Sequence, residues 1–332
     1  MNKKTEGKKN GFSLGELLSG EQASLVIALA ILCVIATVLT PVFLTSTNIM
    51  NVLRQTSLIA IAGIGMVQII LMGEIDLSVG STQALVGVFS VWVLNATGSI
   101  PLTFVAGLAL GALVGLMNGL LVTKAKINSL IATLGTMAII RGVAFVSTGA
   151  VSIQAKIIEF ETLGTGYIGP FPIPVVMTII LFAIFYYILH HTAFGRYIYA
   201  IGGNVNAARL SGLPVERLKI IVYVMGSAFA AISAMVLAAR MSSGQPNAGL
   251  GFELQVVAAV ILGGISLTGG VGTLTGAFIG MLILGVLNNA LILLNVSSFY
   301  HEIARGAVII LAVYLDGTRR RNLQKKLIKA TE

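Results

Sequence analysis

Residues 190–219, HHTAFGRYIYAIGGNVNAARLSGLPVERLK, form the longest polar interruption in a chain that is otherwise mostly apolar. Asn204 is of the residue type that caps helix N-termini, and the seven residues after it contain no helix breaker. Gly212 suits the left-handed position after a helix, and Pro214 forbids its continuation. The stretch predicts a helix of about two turns, which is too short to be stable alone in water. Such a helix needs a surface to lie on; the alternative is a solvated connecting loop without a partner.

The composition of the whole chain places this stretch in a membrane protein. The 332 residues are 56% hydrophobic and only 10% charged, with a mean hydropathy of +0.96, whereas soluble domains carry about 25% charged residues. The apolar runs are too long and too rich in glycine for porin-type alternating strands. They predict an all-α integral membrane protein with about ten spans, since a spanning helix needs about 20 apolar residues. The predicted spans are residues 23–42, 52–72, 77–94, 102–122, 127–146, 174–189, 220–239, 254–267, 274–294 and 303–315.

The formal charge of +9 is concentrated in segments that flank the apolar runs. Basic residues crowd the first nine positions, the tail and residues 190–219, and positive segments of membrane proteins stay in the cytoplasm. With an even number of spans, both termini and the central loop are then cytoplasmic, which explains the charge better than nucleic-acid binding does. The predicted parts are a cytoplasmic N-terminal tail (1–22), a transmembrane domain (23–316) that includes the cytoplasmic loop 190–219, and a basic cytoplasmic tail (317–332).

Two series of glycines recur every four residues and so share one face of a helix. They are Gly107, Gly111, Gly115 and Gly119, and then Gly272, Gly276 and Gly280. Each series predicts a groove where a neighbouring helix backbone approaches closely. Asn118 and Asn288 lie beside these grooves. Each could form hydrogen bonds between helices or line a pore, and the sequence leaves both roles open.

Two short segments resemble each other: ILMGEIDLSVG at residues 70–80 and VILGGISLTGG at residues 260–270, with Asp76 aligned to Ser266. One simple repeat does not explain the spacing of the surrounding spans. Both segments predict helix breaks, and broken helices in transporters expose backbone groups to a cavity.

Catalytic and cofactor motifs are missing from the sequence. It has no Gly-Lys-Ser/Thr phosphate loop, and its three histidines lack metal-ligand spacing to a carboxylate or cysteine. We expect no enzyme activity, cofactor or metal in this chain, so any ATP must be bound by another subunit. Arg141 is the most deeply embedded ionisable residue of the predicted spans, and we expect it to pair with an acid or with helix carbonyls.

Several stretches of the chain resemble the permease subunits of bacterial ABC importers for simple sugars, the ribose-type group. They are GEIDLSVGS (73–81), INSLIATLGTMAIIRGVAFV (127–146), FGRYIYAIGGNVNAARLSGLPVERLKI (194–220), ARMSSGQPNAGLGFELQVVAAVILGG (239–264), GTLTGAFIGMLILGVLNNALILLNVSSFY (272–300) and VIILAVYLD (308–316). The resemblance covers nearly the whole chain and implies a fold like that of type II ABC importers in the bacterial inner membrane.

The resemblance also implies the partners and the roles of the short helix. Two permease copies form the pore, two cytoplasmic ATPase subunits bind ATP and Mg²⁺, and an extracytoplasmic binding protein delivers the sugar. The implied ATPase-coupling residues are Gly202, Gly203, Asn204, Ala207, Ala208, Arg209, Leu210 and Gly212. The candidate residues of the substrate path are Gln68, Asp76, Ser78, Asn118, Asn288 and Asn289.

Other readings stay open from the sequence. An ion-coupled secondary carrier would hold its cation on Asp76 in a broken helix, and a non-transporting membrane scaffold would use the glycine grooves for packing alone. Ribose is the first expectation for the sugar, with other monosaccharides or small sugar-like signals as alternatives. The second pore subunit is a copy of this chain or a paralogue.

Overall fold

The computed structural model of the protein describes residues 21–297, 300–301, 303–304, 306–308, 310–311, 313–314 and 317. The helices are, in chain order, α1 (Glu21–Leu39), α2 (Ser46–Leu71), α3 (Val79–Thr97), α4 (Ile100–Thr123), α5 (Ser129–Thr148), α6 (Thr162–Thr165), α7 (Ile173–His191), α8 (Ala193–Gly203), α9 (Val205–Leu210), α10 (Val215–Arg240), α11 (Phe252–Leu262) and α12 (Leu274–Leu293). The strands are β1 (Ile153–Gln154), β2 (Tyr167–Ile168), β3 (Phe171–Pro172) and β4 (Ser243–Gly244), and a 3₁₀ turn covers Ile158–Glu161. The described residues between 300 and 317 are helical as well.

The prediction of an all-α multi-pass membrane protein is confirmed. Among the described residues, eight helices are long and apolar enough to cross a membrane, and α11 is a shorter apolar helix. The predicted span 254–267 is too long, because α11 ends at Leu262 and Gly264 follows in the left-handed region with φ 90°. The predicted span 303–315 lies partly outside the described residues, and so do most of the two predicted tails.

Polar residues and glycines set the helix limits. The side chains of Thr45, Ser99 and Asn128 accept hydrogen bonds from backbone N–H groups in the first turns of α2, α4 and α5, which satisfies donors that have no partner within the helix. Gly98 and Gly149 follow α3 and α5 with φ of 66° and 61°, a conformation that costs glycine little. These local signals are readable from the sequence.

Helix α10 lies in the middle of the bundle and packs against α2, α3 and α4. The side of α4 that faces α10 carries Gly107, Gly111, Gly115 and Gly119. A Cβ atom at Gly107 would lie 2.6 Å from the Met235 sulfur, and one at Gly115 would lie 2.7 Å from the Val224 Cα. The first glycine series therefore allows two helix backbones to approach more closely than any side chain permits.

The three glycines of the second series have two different roles in the structure. Gly276 and Gly280 lie on α12 and face α11, where a Cβ at Gly280 would lie 2.6 Å from the backbone nitrogen of Gly263. Gly272 was predicted to share that helix face, and this is wrong: it precedes Thr273, the N-cap of α12, and has φ 126°. Its role is a backbone conformation in the connecting segment, which the fourfold spacing does not distinguish from helix packing.

Connections that follow α2, α4 and α11 meet on one side of the bundle. The Gly270 N–H donates to the Leu71 carbonyl oxygen at 2.8 Å, and the Ile75 N–H lies 3.4 Å from Ser129 Oγ. Helices α8 and α9 join them, so this is the side that the charge distribution predicts as cytoplasmic. On the opposite side, β1 pairs antiparallel with β4 and β2 with β3. The sequence did not predict α8 or these strands.

Candidate functional site

Helix α9 is built as its sequence predicts. The Asn204 Oδ1 accepts from the N–H groups of Asn206 and Ala207 at 3.1 and 3.0 Å, which caps the helix start. Gly212 ends the turn with φ 82°. Arg209 Nη2 and Glu216 Oε1 form an exposed ion pair of 2.7 Å that joins α9 to the start of α10.

The predicted coupling residues face in two directions. Leu210 is 89% exposed, whereas Ala208 is 5% exposed and packs into the apolar core. Gly202 is also turned inward, because a Cβ there would collide with the Leu71 carbonyl oxygen. The other predicted coupling residues are exposed: Gly203, Asn204, Ala207, Arg209 and Gly212. Ala208 and Gly202 are therefore turned away from any partner of α9, and Leu210 is the predicted coupling residue with the large exposed apolar side chain.

Asp76 and Ser78, in the segment between α2 and α3, form a buried polar cluster with Asn118 of α4. The Asp76 Oδ1 accepts from the Ser78 N–H at 2.8 Å and from the Ser78 hydroxyl at 2.6 Å. The Asn118 amide donates to Ser78 Oγ at 2.8 Å. All three side chains have no exposed surface, and burial raises the pKa of the Asp76 carboxyl above its usual range. These bonds hold the first helix break together.

Asp76 is the one carboxylate of this cluster. Among the described residues, no group of three or more His, Cys, Asp or Glu side chains lies close enough to hold a metal ion. The Asp76 Oδ1 accepts from two donors of Ser78, and the Asp76 Oδ2 lies 3.5 Å from the Asn118 amide nitrogen.

A cavity of about 310 Å³ with a partly polar lining lies elsewhere, between α2, α3, α10, α11 and α12. It is lined by Gln55, Leu58, Ile59, Gln83, Leu237, Gly249, Leu250, Phe252, Gln255, Gly285, Asn288, Ile292 and His301. None of these described lining residues is Lys, Arg, Asp or Glu, so the cavity suits an uncharged molecule.

Three of the cavity amides have free hydrogen-bonding capacity. Gln83 donates to Ser233 Oγ at 3.0 Å, but no described residue forms a hydrogen bond with the side chain of Gln55, Gln255 or Asn288. Each carboxamide offers two donor hydrogens and an acceptor oxygen. The cavity therefore presents donors and acceptors together, as recognition of hydroxyl groups requires.

Part of the cavity wall, Gly249 and Leu250, comes from the non-helical segment between α10 and α11. A Cβ at Gly244 would lie 2.7 Å from the Val88 Cα, in the middle of α3, and Gly249 contacts Gly80 in the first turn of the same helix. The segment therefore descends along α3 from its middle toward its cytoplasmic end. Non-helical backbone at membrane depth is tolerated where it is enclosed by protein or lines a cavity.

Arg141 on α5 supports this segment. Its Nη1 donates to the carbonyl oxygens of Pro246, at 3.0 Å, and Ala248, and Glu253 supplies a nearby negative charge. Arg141 was expected to pair with an acid or with helix carbonyls; it bonds instead to carbonyls of the non-helical segment, with the acid Glu253 nearby. Arg141 holds the cavity wall and does not itself line the cavity.

Two of the predicted path residues lie away from the cavity. Gln68 is buried in α2 and donates to the Ile64 carbonyl oxygen at 3.1 Å. Asn289 exchanges two hydrogen bonds of 3.0 and 2.9 Å with Asn48. Gln68 therefore bonds within its own helix and Asn289 joins α12 to α2, while Asn118 of α4 bonds to Ser78 at the first helix break. Of the six candidates, Asn288 alone is among the described lining residues.

Sequence reasoning missed Gln55, Gln83 and Gln255. Each is an uncharged amide within or next to an apolar run, and this was the available signal. Charged residues and regularly spaced glycines are more conspicuous in this sequence than single glutamines.

Comparisons with known proteins agree with this architecture. Residues 48–313 match the family described as "Branched-chain amino acid transport system / permease component". The chain belongs to this permease family. It is 42% identical over 322 residues to the ribose import permease protein of Haemophilus influenzae, covering 95% of this chain and 99% of that protein. The corresponding protein of Escherichia coli is 45% identical over 304 residues, which cover 90% and 94% of the two chains.

A relative named for another sugar matches over a similar length. The L-arabinose transport system permease protein of Escherichia coli is 39% identical over 313 residues, covering 94% of this chain and 95% of that protein. No solved structure matches the chain. The permease is a multi-pass protein of the bacterial inner membrane and a transport subunit without an enzymatic role of its own. Such permeases work in ABC importers together with an ATPase and a binding protein.

Proposed function

We propose that this permease carries a pentose, ribose in the first place, across the inner membrane. The observation that supports this most directly is the cavity, whose described lining residues include no Lys, Arg, Asp or Glu. In it, the amides of Gln55, Gln255 and Asn288 form no hydrogen bond with a described residue. A neutral sugar presents hydroxyls that both donate and accept hydrogen bonds, and carboxamides complement both roles. Relatives named for ribose and for L-arabinose point to the same class of substrate.

The permease would act as a pair of identical copies with two ATPase subunits beneath them. ATP and Mg²⁺ would be bound on those ATPase subunits and not on this chain. Exposed Leu210 would insert into a cleft of the ATPase, with the rest of the α9 surface around it. ATP binding would move α9 as a lever, and the two bundles would rock to expose the sugar path to either side in turn.

Binding of the sugar in the cavity would be weak. The extracytoplasmic binding protein would set most of the specificity, because a tight site inside the membrane would slow release. The cavity fits this expectation, because its described lining residues include several amides and no Lys, Arg, Asp or Glu, and a neutral hydrogen bond contributes only about 0.5–1.5 kcal/mol net.

The adjacent residues Asn288 and Asn289 provide a matched test. The permease, its ATPase and its binding protein would be reconstituted in liposomes, and ATP-dependent uptake of labelled ribose and L-arabinose measured. Asn288→Ala should lower uptake about three- to tenfold with an unchanged Tm, since one hydrogen bond to the sugar is lost. Asn289→Ala should instead lower the Tm, because buried Asn48 loses its two hydrogen bonds to Asn289 and keeps only the one to the Phe43 carbonyl oxygen.

Two outcomes would contradict the proposal. If the wild-type complex took up neither pentose, the substrate class would be wrong. If Asn288→Ala, Gln55→Ala and Gln255→Ala all transported at the wild-type rate, the cavity would not be part of the path. Uptake by the permease alone, driven by an ion gradient, would support the secondary carrier instead.

A further inference from the structure

Three backbone segments that are far apart in sequence meet beside the short helix α9. They are the end of α8 at Gly202, the end of α2 at Leu71 with Gly73, and the pair Gly269–Gly270 between α11 and α12. The Gly270 N–H donates to the Leu71 carbonyl oxygen at 2.8 Å. We call these residues the glycine junction.

The segments touch through their backbones. A Cβ at Gly202 would collide with the Leu71 carbonyl oxygen, and one at Gly269 would lie 2.6 Å from the backbone nitrogen of Gly73. Gly269 and Gly270 have φ of 83° and 73°, which side chains rarely tolerate. Because no flexible side chain separates the three segments, a displacement of one is passed directly to the others.

The segment after α9 is attached to the same place. Lys219, in the first turns of α10, forms a largely buried ion pair with Glu74; their side chains are 17% and 13% exposed. The Tyr223 hydroxyl donates to the Ile75 carbonyl oxygen at 3.2 Å. The first helix break is therefore held from both flanks of α9, by Gly202 before it and by Lys219 after it.

The second helix break extends this connection to the cavity. It joins α11, which contributes Phe252 and Gln255 to the cavity wall, to α12, which contributes Asn288. Its Gly270 contacts both the first break and the end of α8, since a Cβ there would lie 2.6 Å from the backbone nitrogen of Gly203. A shift of α9 can thus be passed through backbone contacts to α11 and α12, the two helices that line the cavity on this side.

We propose that the glycine junction, together with the Glu74–Lys219 pair, transmits movement of α9 to both helix breaks and so to the cavity. This inference rests on the proposed function, in which α9 receives the movement of the ATPase. Gly202 and Lys219 are then positioning residues for transport: they contact neither the sugar nor the ATPase, and they couple the two sites.

Gly202 and Gly142 provide a matched pair for the test. A Cβ at Gly142, on α5, meets no atom within 4 Å, so Gly142→Ala should behave as the wild type. In the assembled transporter, Gly202→Ala should bind the ATPase with unchanged affinity, because the exposed face of α9 is unaltered. Its sugar uptake per ATP hydrolysed should fall by about tenfold or more, within the range of allosteric coupling energies.

A second set of variants decides the question if Gly202→Ala does not fold. Glu74→Lys and Lys219→Glu should each lower uptake per ATP, and the double variant should restore much of it because the ion pair is re-formed. The proposal is overturned if well-folded Gly202→Ala keeps wild-type coupling, or if both single charge variants do. Failure of the wild-type complex to transport a pentose or to bind the ATPase would instead refute the proposed function.

Discussion

Replacing Leu210 by alanine tests the docking surface of α9 with a magnitude that follows from the structure. Leu210 is 89% exposed in the permease alone, so the substitution removes almost no contact within the chain. Three carbon atoms are lost, each worth about 0.8 kcal/mol when buried at an interface. Full burial against the ATPase predicts a loss of about 2.4 kcal/mol, or about 50-fold in Kd at each interface.

The assay is direct binding of purified ATPase to the permease in detergent or nanodiscs, with thermal unfolding measured in parallel. Leu210→Ala should weaken binding by about the stated factor and leave the Tm unchanged, since its side chain is solvated. Ile158 provides the control: it is 81% exposed on the opposite side of the bundle, so Ile158→Ala should leave ATPase binding intact. Wild-type affinity in Leu210→Ala would refute α9 as the docking element, and weaker binding in Ile158→Ala would refute the assigned orientation.

Three further predictions concern the residues that hold the site. Asp76→Asn should retain uptake, because its amide oxygen still accepts from Ser78 and its new NH₂ group can donate to Asn118; an ion-coupled carrier would lose transport in the same uptake assay. Arg141→Met should lower the free energy of unfolding by about 1–3 kcal/mol, because buried carbonyls lose their donor. Each kcal/mol corresponds to a fall in Tm of about 2–4 °C, so a Tm within 1 °C of the wild type would contradict this prediction. Gly115→Ala should lower the Tm through overpacking of about 1–3 kcal/mol, whereas Gly135→Ala should not, since a Cβ at Gly135 meets no atom within 4 Å.

Features that depend on neighbouring residues were predictable from the sequence. The membrane class follows from apolar runs that no soluble core accommodates, and the start and end of α9 follow from Asn204 and Gly212. The first glycine series predicted a helix contact because its spacing places all four residues on one face of α4. Gly272 shows the limit of such spacing, since a glycine that permits close packing and one that permits φ 126° look the same in a sequence.

The direction in which each side chain faces was decided by the tertiary structure. Asn288 and Asn289 are adjacent and chemically identical, yet one lines the cavity and the other is bonded to Asn48. Ala208 turns inward and Leu210 outward, because α9 packs on the permease with one face only.

The sequence by itself determined what kind of protein this is: an apolar helical bundle with a short capped helix on its basic side and no Gly-Lys-Ser/Thr motif. Those properties come from composition and from residues within a few positions of one another. The cavity and the glycine junction assemble residues from position 55 to position 301 and from position 71 to position 270. No local pattern encodes such meetings, because they arise only when packed helices bring distant backbones into contact.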